Sequence, residues 1–202
     1  MLPIIKDKKK YIYDDKIYDS KEEIYFSWYL TELYNNGFIF RIEYQPQTFA
    51  LSIKQEYYWT RVLKTKTKQM LSTILQGHDY TPDFLIMWSA KAQGILYNTI
   101  ADIFNLRKNI FVGKKYTYSH DVSFIEVKAE FGKYNSFRWF VINQKWMYQK
   151  FGIYIQMVKP ISLFKRSFTP ERFLFTDGAR QPRKLKYKPI LLDEFLREQQ
   201  KD

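Results

Sequence analysis

Apolar and polar positions alternate first over residues 9–19, KKYIYDDKIYD, and the alternation breaks at two adjacent aspartates. A period of two interrupted in this way predicts a β-hairpin, Tyr11–Tyr13 against Lys16–Tyr18, turning at Asp14-Asp15. The period then lengthens. Ser20 stands three residues before Glu23, the spacing of a capping box, and Ile24, Trp28 and Leu33 follow. A helix is predicted from there to about Tyr34, stopped by Asn35-Asn36-Gly37. Residues 38–53 read as strand, interrupted at Pro46, whereas residues 54–77 are poorly patterned around an exposed basic run, KTKTKQ. Tyr80 to Trp88 is a predicted strand with the apolar centre Phe84-Leu85-Ile86, preceded by Pro82.

Ile95, Ile100, Ile103, Phe104 and Leu106 recur at roughly helical spacing, which predicts a helix over 89–109. Strands are expected at 110–118 and 123–129, then a helix over 136–151 with Phe137, Phe140, Val141, Trp146 and Met147 as its apolar positions. Gly152 ends it. A strand over 153–158 and a short helix over 191–199 complete the chain. Helix, mixed strands, helix and strand in this order suit an α/β core, a central mixed β-sheet flanked by helices. No internal repeat or linker stands out, so a single domain over 1–202 is expected.

Composition narrows the chemistry. The 202 residues carry a net charge of +12, with 33 Lys and Arg against 21 Asp and Glu, and 19% of them are aromatic. Excess cations favour a phosphate-rich partner, and aromatics offer stacking surface, so nucleic acid is the expected partner. There is no Cys, which excludes disulfides and thiolate zinc sites, and the two His, His78 and His120, nearly exclude a multi-histidine metal site. A metal would be held by carboxylates, which favours Mg²⁺ or Mn²⁺. No apolar run has membrane-spanning length and the first ten residues lack the core of a signal peptide, so no membrane partner and a cytoplasmic location are expected.

Three charged residues stand out once the strands are placed. Asp83 opens one apolar strand, and Glu126 and Lys128 lie two apart on another, hence on one face. If those strands are neighbours, two carboxylates can hold a divalent cation with an ammonium beside it. That set suits phosphodiester hydrolysis: a metal to polarise the phosphoryl group and activate water, and a lysine to stabilise charge or orient the water.

Four segments, YDSKEEIYFSWYLTEL, EYQPQTFAL, HDYTPDFLI and SFIEVKAEFG, carry a resemblance to phage members of the PD-(D/E)XK nuclease superfamily, above all the endonuclease I family of Holliday-junction resolvases. Their order, and the helix after the last, agree as well. The resemblance implies a restriction-endonuclease-like core over about 11–158, with insertions at about 54–77 and 89–120 and a basic extension over 160–202. It implies that Asp83, Glu126 and Glu23 ligate the metal and that Lys128 is the catalytic lysine. The ordinary role of Glu23 is the capping box itself. Gln144 and Tyr148, one helical turn apart, match an accessory pair used by some superfamily nucleases.

Lys64, Lys66, Lys68, Arg180, Arg183, Lys184, Lys186 and Lys188 are candidate phosphate contacts, with a solvated charged face as the ordinary alternative. His78 and His120 read as hydrogen-bonded loop residues. The expectation is thus a metal-dependent endonuclease acting on DNA, on branched or junction forms in phage DNA processing, and two-fold junctions would suit a homodimer. The alternative is a nuclease fold that has lost its chemistry and serves as a DNA-binding or virion-associated protein.

Overall fold

The expected hairpin and first helix both form in the computed structural model, which describes residues 4–7, 10–99, 110–115, 120–130, 134–177 and 181–199. Strand β1 (Ile5–Asp7) pairs with β2 (Lys10–Tyr13), and β2 with β3 (Lys16–Tyr18). The β2–β3 turn places Asp14 and Asp15 at φ 51° and 56°, the double left-handed conformation of a tight hairpin that Asp tolerates better than most residues. Helix α1 (Lys21–Asn35) starts at Ser20, whose hydroxyl oxygen accepts the N–H of Glu23. It ends in a Schellman arrangement. The N–H of Phe38 reaches the carbonyl of Leu33, and the N–H of Gly37, at φ 74°, that of Tyr34. Glycine takes this conformation without a Cβ clash.

The central sheet contains β4 (Ile39–Tyr44), β9 (Phe84–Trp88), β10 (Tyr97–Thr99), β11 (Phe111–Lys115), β12 (Asp121–Val127) and β13 (Ile155–Val158). Strands β5 (Phe49–Ser52), β6 (Gln55–Val62), β7 (Thr67–Leu75) and β8 (His78–Tyr80) pair outside it. Its spatial order is β10-β11-β12-β9-β4, with β13 also on β12. The β12–β9, β9–β4 and β11–β12 pairs are antiparallel; β12–β13 and β10–β11 are parallel. The sheet is therefore mixed, and the protein is α/β as expected.

Alternation along β9 and β12 sends side chains into two cores. Phe84, Ile86, Trp88, Ile125 and Val127 pack toward α1, against Phe26, Tyr29 and Leu30. Helices α3 (Pro160–Arg166) and α4 (Leu192–Gln199) join this layer through Leu163, Phe164, Leu192 and Phe195. Leu85, Val122, Phe124 and Ile155 form the second core with Phe49, Tyr80, and Phe140 and Met147 of helix α2 (Tyr134–Phe151). Each such large side chain contributes about 1.5–3 kcal/mol by leaving water. Among the described residues no helix is long and apolar enough to cross a membrane.

The fold departs from the sequence expectation in several places, among them β1 and helix α3, which the sequence reading did not expect. Residues 54–77 form a long hairpin, β6–β7, paired from Gln55↔Leu75 to Val62↔Thr67. Both its faces are largely exposed, so no alternation of buried and solvated positions marked it as strand. The strand expected over 80–88 is two strands, because the chain leaves the ladder at Thr81-Pro82 and Pro82 has no N–H to give; β8 pairs with β5 and β9 joins the central sheet. Over 89–99 a 3₁₀ turn (Ala90–Ala92) and β10 replace the expected helix. Gly94, at φ 79°, turns the chain out of the helical region. The rest of that expected helix, 100–109, lies outside the described residues, as do 116–118 of the next expected strand.

Candidate functional site

Antiparallel pairing brings the expected acidic residues together. The β12–β9 ladder runs from Val122↔Met87 to Ile125↔Phe84. One further step in the same register sets Asp83 opposite Glu126. Directly opposed residues share a face and stand about 5 Å apart at Cβ. The backbone holds this junction firmly. Asp83 Oδ2 accepts the N–H of Val127 at 2.6 Å, between Glu126 and Lys128. The Asp83 carbonyl accepts the N–H of Gln45 at 2.8 Å. Gln45 sits at φ 46°, a left-handed conformation uncommon outside glycine, held here beside the site. The N–H of Lys128 reaches the Val158 carbonyl at 2.8 Å, anchoring the end of β12 on β13.

Glu126 is 8% exposed, and both its oxygens are engaged. Oε2 accepts the Tyr80 hydroxyl at 2.7 Å, and Oε1 meets the Lys128 ammonium at 2.5 Å. Glu126 and Lys128 thus project together, while Val127 between them enters the α1 core. Burial, and then the nearby Glu126 and Glu23 carboxylates, hold the Asp83 carboxyl well above the usual carboxylate range, against the opposing pull of the Val127 N–H and Lys128. Burial also raises Tyr80, reinforced by Glu126, so its hydroxyl stays a donor.

Glu23, on α1, is 4% exposed, and its charge is among those that raise Asp83. Its Oε1 accepts the Ser20 hydroxyl at 2.7 Å. Its Oε2 accepts the Tyr44 hydroxyl at 2.6 Å and the Asp19 N–H at 3.0 Å. Burial raises its pKa and these bonds pull it back. Glu23 therefore closes the capping network and adds negative charge near Asp83. Among the described residues no three His, Asp or Glu side chains are gathered as a cage for a metal ion. The donor set fitting a cation is the Asp83–Glu126 pair. Two carboxylates with the remaining positions left to water and substrate oxygens is the usual requirement of Mg²⁺. The crowding of buried carboxylates is the electrostatic condition such an ion relieves.

The remaining expected residues lie elsewhere. Gln144 donates to the Ile155 carbonyl at 2.6 Å, tying α2 to β13, and Tyr148 is exposed. Lys64, Lys66 and Lys68 are exposed at the far end of the β6–β7 hairpin, and Lys184, Lys186 and Lys188 are exposed near the C-terminus. Arg183 is committed to folding contacts: it bonds the Phe173 and Phe175 carbonyls and pairs with Asp177 at 2.7 Å. Arg180 lies outside the described residues. His78 bonds Asn143 at 2.9 Å, and His120 stacks on Phe40. Sequence reasoning missed Tyr80 and Tyr44 as the donors that orient Glu126 and Glu23. Tyr80 belongs to the Tyr-Thr-Pro-Asp run containing Asp83, and its period-two placement before Pro82 was the available signal.

No protein-family model, no curated protein and no solved structure matches this chain.

Proposed function

We propose that this protein is a divalent-metal-dependent endonuclease that hydrolyses DNA phosphodiester bonds, on a restriction-endonuclease-like core and of the kind that processes branched or junction DNA. The observation that carries this reading is the docking of Asp83 on the N–H between Glu126 and Lys128. It joins two carboxylates and an ammonium at one strand end. Asp83 and Glu126 would hold Mg²⁺ or Mn²⁺, which when bound supplies Lewis acidity and an acidified water.

The chain's own residues do the rest. Tyr80 fixes one oxygen of Glu126 and so sets the direction of the other; such outer hydrogen bonds commonly tune a metal ligand. Lys128 keeps a cation at the same edge, where it can face a phosphoryl oxygen and stabilise the charge that grows there in the transition state. Glu23, buried and hydrogen-bonded on three sides, keeps the field at Asp83 negative. The net charge of +12 favours a polyanionic substrate.

The test is a cleavage panel of junction, flap, gapped and linear DNAs with Mg²⁺ or Mn²⁺. Cleavage that chelator abolishes, and that Asp83→Ala or Lys128→Ala removes from a folded protein, is the expected result. Full activity in either variant overturns the assignment.

A further inference from the structure

An aromatic trough opens beside the carboxylate site, on the α2 side of the molecule. It has a volume of about 680 Å³ and is lined by Ile53, Gln55 and Leu75 at the root of the β6–β7 hairpin, by Trp139 and Trp146 of α2, and by His78. Trp139 is 62% exposed and Trp146 37%, an amount of bare indole that the folded chain does not use. Trp146 is held flat by His78, with ring centroids 5.6 Å apart and planes 27° apart, and His78 is fixed in turn by Asn143. His78 and Tyr80 lie two apart on β8, on one face and about 7 Å from each other. Tyr80 bonds Glu126, so one short strand links the trough to the site.

Cations dominate the charge around the trough, where the nearby acids are Glu56, paired with Lys54, and Asp79. Residues 57–77 and 134–151 contain Arg61, Lys64, Lys66, Lys68, Arg138, Lys145 and Lys150, seven cations, and no Asp or Glu. The hairpin adds Tyr57, Tyr58 and Trp59, all exposed. A second copy of this chain would set these like charges against each other. A continuous duplex would keep its bases stacked inside, away from the indoles. A strand of unpaired nucleotides satisfies both features, since aromatic faces stack successive bases and cations follow the phosphates.

We propose that the trough binds single-stranded DNA, with bases on Trp139 and Trp146 and the backbone along the cationic hairpin. The substrate of the enzyme then carries an unpaired segment, as a flap, gap or fork does. The substrate assignment rests on the endonuclease reading; binding in the trough does not.

The experiment measures fluorescence anisotropy of the full chain in EDTA, with an oligothymidine strand and with a blunt duplex of equal length. The single strand should bind about tenfold or more tightly than the duplex. Trp139→Ala should weaken single-strand binding about tenfold, the scale of losing one stacked base, and Trp139→Phe should restore most of it. Replacing Lys64, Lys66 and Lys68 by Ser should flatten the salt dependence by about 0.7 per lost phosphate contact. Equal or tighter duplex binding, an unaltered affinity in Trp139→Ala, or tighter capture by phosphatidylserine vesicles than by the single strand overturns the proposal. The same measurement on Asp83→Asn separates the two readings. Retained binding with no cleavage by the unaltered protein on any DNA sinks the endonuclease and leaves the trough. Cleavage of plain duplex without single-strand affinity does the reverse.

Discussion

The carboxylate site and the β6–β7 hairpin are opposites in construction. At the site the charged groups are buried or half-buried, opposed by a neighbour and held by hydrogen bonds, with Glu126 and Glu23 under one-tenth exposed and Asp83 and Lys128 half-buried. On the hairpin, Tyr58, Val62, Leu71 and Ile74 stand at 50% exposure or more, and its four cations, Arg61, Lys64, Lys66 and Lys68, outnumber its one acid, Glu56. The site is positioned by the cores of the protein, and the hairpin chiefly by its own ladder. Chemistry that needs a fixed geometry belongs in the first setting, and contact with a long flexible polyanion belongs in the second.

Substitutions can break or sharpen this contrast. The largest effect should come from Asp83→Ala, which is expected to lower metal-dependent cleavage by at least about 10³-fold, more than loss of a single transition-state donor. A quenched cleavage assay checks it, with circular dichroism showing an intact fold. Next is Trp88→Ala. Trp88 is 1% exposed and bonds Ser123 at 2.8 Å, so its loss should cost about 3–5 kcal/mol in urea unfolding. Tyr58→Ser on the hairpin, 74% exposed, should change stability by less than about 0.5 kcal/mol. Equal costs at the two positions would show that the hairpin is part of the core.

Tyr80→Phe removes the donor to Glu126 Oε2 and should weaken Mn²⁺ affinity about tenfold, read by calorimetry, with little change in fold. A further effect is a pH dependence at Glu32. Burial raises its carboxyl from the ordinary 4.5 to about 7, against the pull of the Glu171 N–H. The folded state therefore holds a proton there that the unfolded chain has lost. The sign follows directly: the contribution to stability is full below 4.5 and is lost as pH rises toward and through 7. Glu32→Gln should raise the melting temperature by a few degrees at pH 8 and leave it unchanged at pH 4. A gain of equal size at both pH values would refute the assignment.

The parts of this molecule legible in the sequence are those written in local chemistry. Ser20 with Glu23, Asn36-Gly37 and Asp14-Asp15 mark the ends of elements because caps and tight turns need those residue types. Asp83, Glu126 and Lys128 could be singled out because period two places Glu126 with Lys128, and because charges at the ends of apolar strands are conspicuous. The hairpin was illegible for the opposite reason: its strands bury neither face, so their pattern resembles loop. The roles of Tyr80, Tyr44 and Gln144 depend on partners 46, 21 and 11 residues away; the spacing of Tyr80 before Pro82 hints at its placement, but no local pattern names any of these partners.

The β12–β9 register also acts as a proofreading device. Because Ile125 and Val127 fill one core and Phe124 fills the other, sliding β12 by one position would push Glu126 and Lys128 into oil and leave isoleucine and valine at the water's edge. A misaligned copy would forfeit its stability along with its charged cluster. Any molecule that survives as a folded protein has therefore already set those charged groups on the correct side.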